Sequence, residues 1–476
     1  MRILYVRLPA AITAVFFLLT CLFLYPGGEV LWAASSAPSE EEAPSPLEDG
    51  QYAVDVNGQA AAALTDQNRT TGLRVEEGDV VSVRAASPFS QIYLVWDSPP
   101  GEYEIEPGTG DVLAGGQHGF LHDYTALPGE TDRMEIRILQ KQATLCDIYL
   151  FPEGPLPSWV QQWEPMAEKA DLLVLPTHAD DEHLFFGGTL PTYAGERNLS
   201  VQVAYLTNHW EEPYRPHELL NGLWVVGVRQ YPLISDFPDL YADSLDTALT
   251  LYDRQEVLAF QVETIRRFKP DVIVGHDIDG EYGHGVHILN ATTLLEALEL
   301  APDRSAFPES AETYGSWDVP KTYLHLWGEN TLTMDWNQPL QAFAGATAFE
   351  MAQQGFAMHT SQQAYFSVED FGPYDCRLFG LARSTVGPDL TGDDFFENIE
   401  AAEAAPEVSS PAPPPGLEAS SVSRPPALQA NAPPAGGETR LGVLLAALFI
   451  AACFLAALLF FYRHRRRRRD KRPRPK

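Results

Sequence analysis

The alternation of hydrophobic and polar positions changes character near residue 157. Before this point, short runs such as "DVVSVRA", "QIYLVWD" and "MEIRILQ" are separated by Gly, Pro and Asp turns. Apolar and polar residues alternate in these runs, as they do when alternate side chains of a strand point to opposite faces of a sheet. The pattern therefore predicts an all-β jelly-roll or sandwich domain over residues 51–156.

After residue 157, continuously apolar runs alternate with helical patterns. The runs "DLLVLPT", "VQVAYLTN" and "PDVIVGHD" have the composition of fully buried strands. Helices are predicted at Glu182–Glu196, Glu218–Val226 and Arg254–Phe268. Strands that alternate with helices predict an α/β fold. We expect a Rossmann-like, mostly parallel sheet with flanking helices over residues 157–400.

Apolar segments stand at both ends of the chain. The first follows two arginines and precedes small residues, which is the layout of a secretory signal peptide, with an uncleaved signal anchor as the alternative. Residues 441–462 carry no charge and would be about 33 Å long as a helix, enough to cross a bilayer. A basic block follows, and such blocks stay on the cytoplasmic side. The prediction is a single-pass cell-membrane protein with an extracytoplasmic body.

Stretches rich in Pro, Ser and Ala separate these parts and predict flexible or semi-extended spacers. The predicted division of the chain is a signal peptide (1–34), a disordered spacer (35–50), the β-sandwich domain (51–156), the α/β domain (157–400), a Pro/Ala-rich stalk (401–440), a transmembrane helix (441–462) and a basic cytoplasmic tail (463–476).

Composition excludes one class of partner. The formal net charge is -33 although the last residues are strongly basic, so the remainder of the chain is more acidic still. A body of this charge repels polyanions, and we expect no nucleic-acid partner. Outside the terminal apolar segments the cysteines are Cys146 and Cys376. A disulfide and two free buried thiols are both open for them.

Two polar clusters follow predicted buried strands at the points where these strands end. "THADDEH" (177–183) follows the first strand, and "GHDIDGEYGHGVH" (275–287) follows the third. Taken separately, each cluster has a simple explanation as helix-capping acids or surface histidines. The carboxyl ends of parallel strands meet at one edge of a sheet, so we expect the clusters to face each other. Two imidazoles and a carboxylate suit Zn²⁺, and a further acid beside a metal-bound water can act as general base.

These clusters resemble those of a known family. Residues from about 159 to 366 are similar to the PIG-L (LmbE-like) zinc-dependent de-N-acetylases, whose fingerprint is a His-Pro-Asp-Asp-Glu loop and a later HxxH. The resemblance implies that His178, Asp181 and His287 are metal ligands. It also implies that Asp180 is the general base and that His284 is a general acid or oxyanion stabiliser.

The same resemblance implies roles in substrate contact or support for Tyr282, Arg215 and Asp236. The chain departs from the fingerprint at two places. Ala179 replaces a proline, which removes no ligand. Gly285 and Val286 replace a Pro-Asp pair, which removes the carboxylate expected to orient His284. The residues that could replace this carboxylate are Asp277, Asp279 and Glu281.

The implied function is hydrolysis of the acetyl group from an N-acetylated amino sugar, in an N-acetylglucosamine-type glycan or glycoconjugate at the cell surface. The cofactor is expected to be Zn²⁺, although the donor set also suits Fe²⁺ or another divalent metal. The first domain resembles galactose-binding-like (discoidin-type) jelly rolls, which implies a sugar-binding or a packing module. The alternatives are a membrane-tethered carbohydrate-binding protein with an inactive deacetylase-like domain, and a different metal hydrolase such as a phosphoesterase.

Overall fold

The structure is a computed structural model that describes residues 45–399 except 49, 109 and 141. These residues form two sheets of eight and seven strands. The predicted signal peptide, stalk, transmembrane helix and basic tail lie outside the described residues, as does most of the first spacer. Cys146 and Cys376 are both buried and free, so they do not form the disulfide that the sequence left open.

The first sheet is antiparallel throughout and has the order β2-β1-β4-β7-β5-β6, with β8 paired to β4 and β3. Its longest strands have 17 residues each and an irregular register, which lets β4 pair with β1 in its first half and with β8 in its second. The strands are β1 (Tyr52–Val56), β2 (Gln59–Ala60), β3 (Leu73–Val75), β4 (Val80–Trp96), β5 (Tyr103–Pro107), β6 (Leu113–Gly115), β7 (His122–Ile138) and β8 (Ala143–Phe151), with a 3₁₀ turn at Ala62–Leu64.

The second sheet has the order β11-β10-β9-β12-β13-β15-β14. Its first five strands are parallel, whereas β15 runs antiparallel to both β13 and β14. The strands are β9 (Leu172–Val174), β10 (Val201–Tyr205), β11 (Leu233–Ile234), β12 (Val272–Gly275), β13 (Lys321–His325), β14 (Thr331–Thr333) and β15 (Leu378–Ser384).

Helices cover both faces of this second sheet. They are α1 (Asp181–Leu184), α2 (Arg215–Val225), α3 (Leu245–Leu251), α4 (Arg254–Phe268), α5 (Gly285–Leu300), α6 (Pro308–Tyr314) and α7 (Ala348–Ala357), with a π-helical turn at Pro191–Glu196 and 3₁₀ turns at Glu281–Gly283 and Gln341–Phe343. Successive residues of β9 enter different cores: Leu172 and Val174 pack with α2 and α7, whereas Leu173 packs with α4 and α5. Burial on both faces explains why this strand is continuously apolar.

The predicted fold class and the predicted localisation need correction. Among residues 45–399, no helix combines the length and the apolar character that a bilayer crossing requires. The longest, α5, has 16 residues, fewer than the roughly 20 that span the hydrocarbon layer. The described chain is therefore a mixed α/β fold with two sheets, and it provides no support for a cell-membrane location.

The strand order places two loops side by side. From β9 the chain moves outward to β10 and β11, and then returns to add β12 on the opposite side of β9. Such a reversal of strand order opens a crevice at the carboxyl ends of the two central strands. The loops that follow β9 and β12 carry the two polar clusters, and they meet at this crevice.

The start of α4 provides a test of this local structure. The Asp253 side chain accepts hydrogen bonds from the backbone N–H groups of Gln255 and Glu256, at 2.7 and 3.4 Å. We expect Asp253→Ala to lower the free energy of unfolding by about 1 kcal/mol, because two N–H groups lose their acceptor. Asp253→Asn keeps an acceptor and is expected to be nearly neutral. Urea denaturation of both variants measures the difference, and equal stability of the alanine variant and the native protein would contradict the assignment.

Candidate active site

The loop after β9 is folded around the carboxylate of Asp181. Its Oδ2 accepts hydrogen bonds from the backbone N–H groups of Thr177 and His178, at 3.2 and 2.7 Å. The preceding residue, Asp180, has a φ of 124°, which side-chain-bearing residues rarely adopt. Both carboxylates are almost fully buried. The loop therefore holds two adjacent acids in fixed and different directions.

Three potential ligand atoms form a compact triangle between the two loops. His178 Nδ1 lies 3.2 Å from Asp181 Oδ2 and 3.1 Å from His287 Nε2. His287 Nε2 lies 3.4 Å from the same Asp181 oxygen. A tetrahedral metal with bonds of about 2.0–2.1 Å has ligands about 3.3 Å apart. The three side chains thus fit a divalent metal and leave one coordination position open.

The buried carboxylate of Glu281 fixes the orientation of the imidazoles. It accepts hydrogen bonds from Nδ1–H of His287 at 2.7 Å and of His276 at 2.9 Å, and it lies 2.7 Å from Nδ1 of His325. With its Nδ1 protonated, a neutral His287 presents an unprotonated Nε2 to His178 and Asp181. A carboxylate behind a ligating histidine commonly sets the tautomer in this way. Glu281 therefore prepares the triangle for a cation.

His276 has a different role, although it is close to the triangle. Its ring stacks on His287 with 4.1 Å between centroids, and its Nε2 lies 3.4 Å from Asp181. The same Nε2 accepts a hydrogen bond from the backbone N–H of Thr177 at 3.0 Å. Its lone pair is thereby occupied, so His276 ties the loop after β12 to the loop after β9.

The charges of the two neighbouring acids respond differently to burial. Burial raises the pKa of Asp181, but the nearby His287, His178 and His276 outweigh this and hold it well below its usual range. Burial raises the pKa of Asp180 well above its usual range, and the negative charge of Asp181 adds to the effect. Asp181 is thus the acid that is set up as an anion, and Asp180 is the acid set up to take a proton.

Arg215 supports the loop from the opposite side. It is buried at the start of α2, and one of its guanidinium N–H groups donates to the carbonyl oxygen of Ala179 at 2.6 Å. The same nitrogen lies 3.8 Å from the Asp180 carboxylate. Glu218, one helical turn later, lies 3.7 Å from the guanidinium. These contacts place Arg215 behind the loop, where it holds the Asp180 turn.

A further carboxylate reaches the site from the segment after β11. Asp239 lies 3.4 Å from His178 Nε2 and 3.2 Å from His209 Nδ1. His209 Nε2 in turn accepts a hydrogen bond from the Ala179 N–H at 3.1 Å. The side chain of Asp236, the acid proposed from the sequence in this segment, makes no hydrogen bond or ion pair with the site residues that the structure describes. The structure therefore brings Asp239 to the site where the sequence suggested Asp236.

His284 stands beside the triangle and makes no hydrogen bond or ion pair with a carboxylate of residues 45–399. Its ring centroid lies 4.8 Å from that of His178 and 4.6 Å from that of His287. Its Nδ1 is buried and has no hydrogen-bond partner among the described residues. Burial, followed by the positive character of His178, lowers the pKa of His284 to about 3. Glu281, one of the three suggested replacements for the missing acid, is committed to the other histidines.

Packing explains why the family's proline is missing after His284. A Cβ at Gly285 would lie 1.9 Å from the carbonyl oxygen of Ser244, so a side chain does not fit. The Gly285 N–H also donates to the carbonyl oxygen of Ala242 at 2.8 Å, a bond that proline cannot make. The chain preceding α3 therefore requires glycine at this position.

Exposed aromatic rings border the site. Tyr282, in a left-handed conformation with φ 47°, stacks on Phe366 with 5.8 Å between ring centroids. Tyr241 packs edge-on against His284 at 5.1 Å. The three rings are 40% to 71% exposed, which is unusual for large apolar side chains.

Of the eight residues suggested from the sequence, seven meet around the crevice, whereas Asp236 makes no hydrogen bond or ion pair with them in the described part of the chain. The sequence did not single out Glu281 or His276 for these contacts, and it did not identify Asp239. The position of His276 does indicate a place at the site. It directly follows β12, and Thr177 and His178 come soon after the end of the neighbouring strand β9. The chemical roles assigned to the suggested residues stay predictions.

Comparisons with known proteins agree with this part of the fold. Residues 172–298 match the PIG-L family, described as GlcNAc-PI de-N-acetylase. The chain is 40% identical over 203 residues to 1D-myo-inositol 2-acetamido-2-deoxy-alpha-D-glucopyranoside deacetylase 2 of Saccharopolyspora erythraea, which covers 37% of this chain and 71% of the relative. It is 28% identical over 275 residues to deacetylase 1 of the same description from Catenulispora acidiphila, which covers 52% of this chain and 76% of the relative.

A solved structure was also found. N,N'-diacetylchitobiose deacetylase from Pyrococcus horikoshii shares 17% identity with this chain over 41% of its length and 71% of the solved chain, with a TM-score of 0.32. A score this low supports no inference about function. The family match does not reach the first sheet, whose resemblance to galactose-binding-like domains stays a prediction. On the strength of the Saccharopolyspora relative, this chain belongs to the PIG-L (GlcNAc-PI de-N-acetylase) family.

Proposed function

We propose that this protein is a metal-dependent deacetylase that hydrolyses the acetamido group of an N-acetylglucosamine-type sugar to a free amine and acetate. The observation that carries the proposal is the triangle of His178, Asp181 and His287, with the second buried carboxylate of Asp180 beside it. The two relatives are named as deacetylases of a 2-acetamido-2-deoxy-glucopyranoside, which supports this substrate class. The His₂-carboxylate donor set favours Zn²⁺, and it also suits Fe²⁺.

The residues around the triangle have separate tasks in this proposal. A divalent metal held by His178, Asp181 and His287 would supply Lewis-acid activation of a water and of the acetamide carbonyl. Asp180 accepts a proton from the water while the water oxygen attacks the carbonyl carbon. The C–N bond then breaks, the nitrogen receives the proton that Asp180 took from the water and leaves as an amine, and the acyl group leaves as acetate.

His284 is suited to hydrogen bonding with the carbonyl oxygen. Burial and the neighbouring imidazoles disfavour a positive charge on its ring more than Asp181 favours it, and a nearby dication would oppose that charge further. A neutral imidazole whose Nδ1 is uncommitted can donate one hydrogen bond to developing negative charge on oxygen. Of the two roles implied by the family, this arrangement supports the oxyanion stabiliser over the general acid.

The aromatic border supports a sugar as the substrate. The rings of Tyr241, Tyr282 and Phe366 offer flat apolar surfaces at the edge of a polar, buried centre. Binding sites for small molecules commonly combine such aromatic walls with a few fixed polar groups. A pyranose ring has apolar C–H faces that pack on aromatic side chains, while its acetamido group reaches the triangle.

The role of Asp180 can be tested with Asp180→Asn, which keeps the shape of the side chain and removes its basicity. We expect a loss of about 10²- to 10⁴-fold in kcat for acetate release from N-acetylglucosamine glycosides, with metal content retained. Glu211→Gln, an exposed change in the loop before α2, is the control and should behave as the native protein. No acetate release by the metal-loaded native protein, or unchanged release by the asparagine variant, would refute the proposal.

The role of Glu281 can be measured directly as metal affinity. Glu281→Gln removes the charge that holds His287 and His276, and we expect an affinity about 10- to 100-fold lower, as for other carboxylates behind metal-binding histidines. Asp279→Asn is a matched control, because Asp279 is exposed in the same loop. Competition with a fluorescent chelator gives both dissociation constants. Equal values would show that Glu281 does not prepare the site.

The aromatic border predicts an effect on KM. Phe366→Ala removes the ring that stacks on Tyr282, and we expect KM to rise about fivefold with little change in kcat, since about 1 kcal/mol of binding is lost. Tyr365→Ala is the matched control, because Tyr365 is the adjacent residue and is 75% exposed. Steady-state kinetics on both variants decides the point. A change in kcat alone, or equal changes in both variants, would contradict substrate contact by Phe366.

A further inference from the structure

Three more potential ligands meet behind the Asp180 turn, on the side of α2 and α7. The side chains of Glu182, His183 and His359 are fully buried. Glu182 Oε1 lies 3.2 Å from His183 Nε2 and 3.4 Å from His359 Nε2. Their three ligand atoms lie within 4.8 Å of one another. None of these residues belongs to the triangle of the proposed catalytic metal.

The cluster is unsatisfied as it stands. Glu182 Oε1 and both ring nitrogens of His183 and of His359 are buried without a hydrogen-bond partner among the described residues. The other oxygen of Glu182 accepts a hydrogen bond from the Asp180 N–H at 2.9 Å. Glu182 is therefore anchored through one oxygen while the other points at two imidazoles. Buried polar atoms rarely remain without a partner, so a missing group is indicated here.

Two glycines keep the space around these nitrogens open. A Cβ at Gly222, inside α2, would lie 2.7 Å from His183 Nε2 and 2.9 Å from His359 Nε2. A Cβ at Gly355, inside α7, would lie 2.4 Å from a ring carbon of His183 and 2.5 Å from its Nδ1. Glycine within a helix is unfavourable, and its presence here is explained by the room that the imidazoles need.

We propose that Glu182, His183 and His359 bind a second divalent cation, with Zn²⁺ as the best match to two imidazoles and a carboxylate. A single buried water carries no charge, so it cannot offset the buried charge of Glu182. A cation binds three of the five orphaned atoms at once, Oε1 and both Nε2 atoms, and it balances the buried charge of Glu182. Because no part of the three side chains is exposed, the ion is structural. It holds Glu182, and through it the backbone of Asp180.

The test counts zinc in the full-length protein after chelator stripping, reloading and dialysis. We expect two zinc ions per chain in the native protein and one in the double variant His178→Ala/His287→Ala, which lacks the proposed catalytic site. Adding His359→Leu to this double variant should remove the remaining zinc. One zinc in the native protein and none in the double variant would overturn the proposal, whether or not acetate is released.

A second variant covers the case in which the buried leucine prevents folding. Gly222→Ala places a methyl group between the two imidazoles without removing a ligand. Added to His178→Ala/His287→Ala, it should lower the bound zinc from one ion per chain to well below one, with the circular dichroism spectrum unchanged. Zinc binding that is unaffected by both Gly222→Ala and His359→Leu would place the ion elsewhere and refute the site.

Discussion

The buried carboxylate of Glu281 is the constraint on which the rest of the site depends. An unpaired charge in the interior is costly, and here three imidazoles surround it and offset that cost. Their Nδ1 atoms turn toward Glu281, so the Nε2 atoms of His276 and His287 must turn away from it. His276 Nε2 accepts a hydrogen bond from the Thr177 N–H, and His287 Nε2 lies next to His178 and Asp181. A single carboxylate thus joins the loops after β9 and β12 and sets the donor atoms of the triangle.

The strained turn at Asp180 is held by contacts on both of its sides. The Asp180 N–H donates to Glu182, the Ala179 carbonyl accepts from Arg215, and the Ala179 N–H donates to His209. With the neighbouring peptide groups all bound, the backbone cannot relax to a more common φ. Strain of this kind persists only where the surroundings over-determine it, and it is concentrated at functional sites. Here the strained turn points the carboxylate of Asp180 in a different direction from the carboxylate of Asp181.

The sequence predicts those parts of the fold that depend on local patterns. The helix predicted at Arg254–Phe268 begins and ends at those residues, because an N-cap acid and an apolar stripe are both local features. The helix predicted at Glu182–Glu196 is instead interrupted, since Gly187 has a φ of 50° and Pro191 starts a separate π-helical turn. The membrane helix and the localisation inferred from it find no support in the described residues.

The site follows the same division between local and tertiary information. The sequence predicts that His178, Asp181 and His287 lie close together, because the carboxyl ends of strands meet at one edge of a parallel sheet. The sequence could not predict that Asp239 and not Asp236 contacts the site. Both are acids of one loop, and the conformation of that loop decides which of them reaches the histidines. The links from Glu281 to His325 and from Glu182 to His359 also cross long sequence separations that no periodicity records.

The three consecutive acids of the first loop show how one local conformation separates like charges. The positive φ of Asp180 reverses the chain, so the neighbouring carboxylates diverge instead of sharing one face. Asp181 meets the histidines of the triangle, Asp180 lies near Arg215, and Glu182 turns inward to His183 and His359. Glu182 is the first residue of the helix predicted at Glu182–Glu196, a position where a negative charge is favoured. Its full burial instead requires a positive or donating partner, and the imidazoles of His183 and His359 stand in front of it, at 3.2 and 3.4 Å from its Oε1.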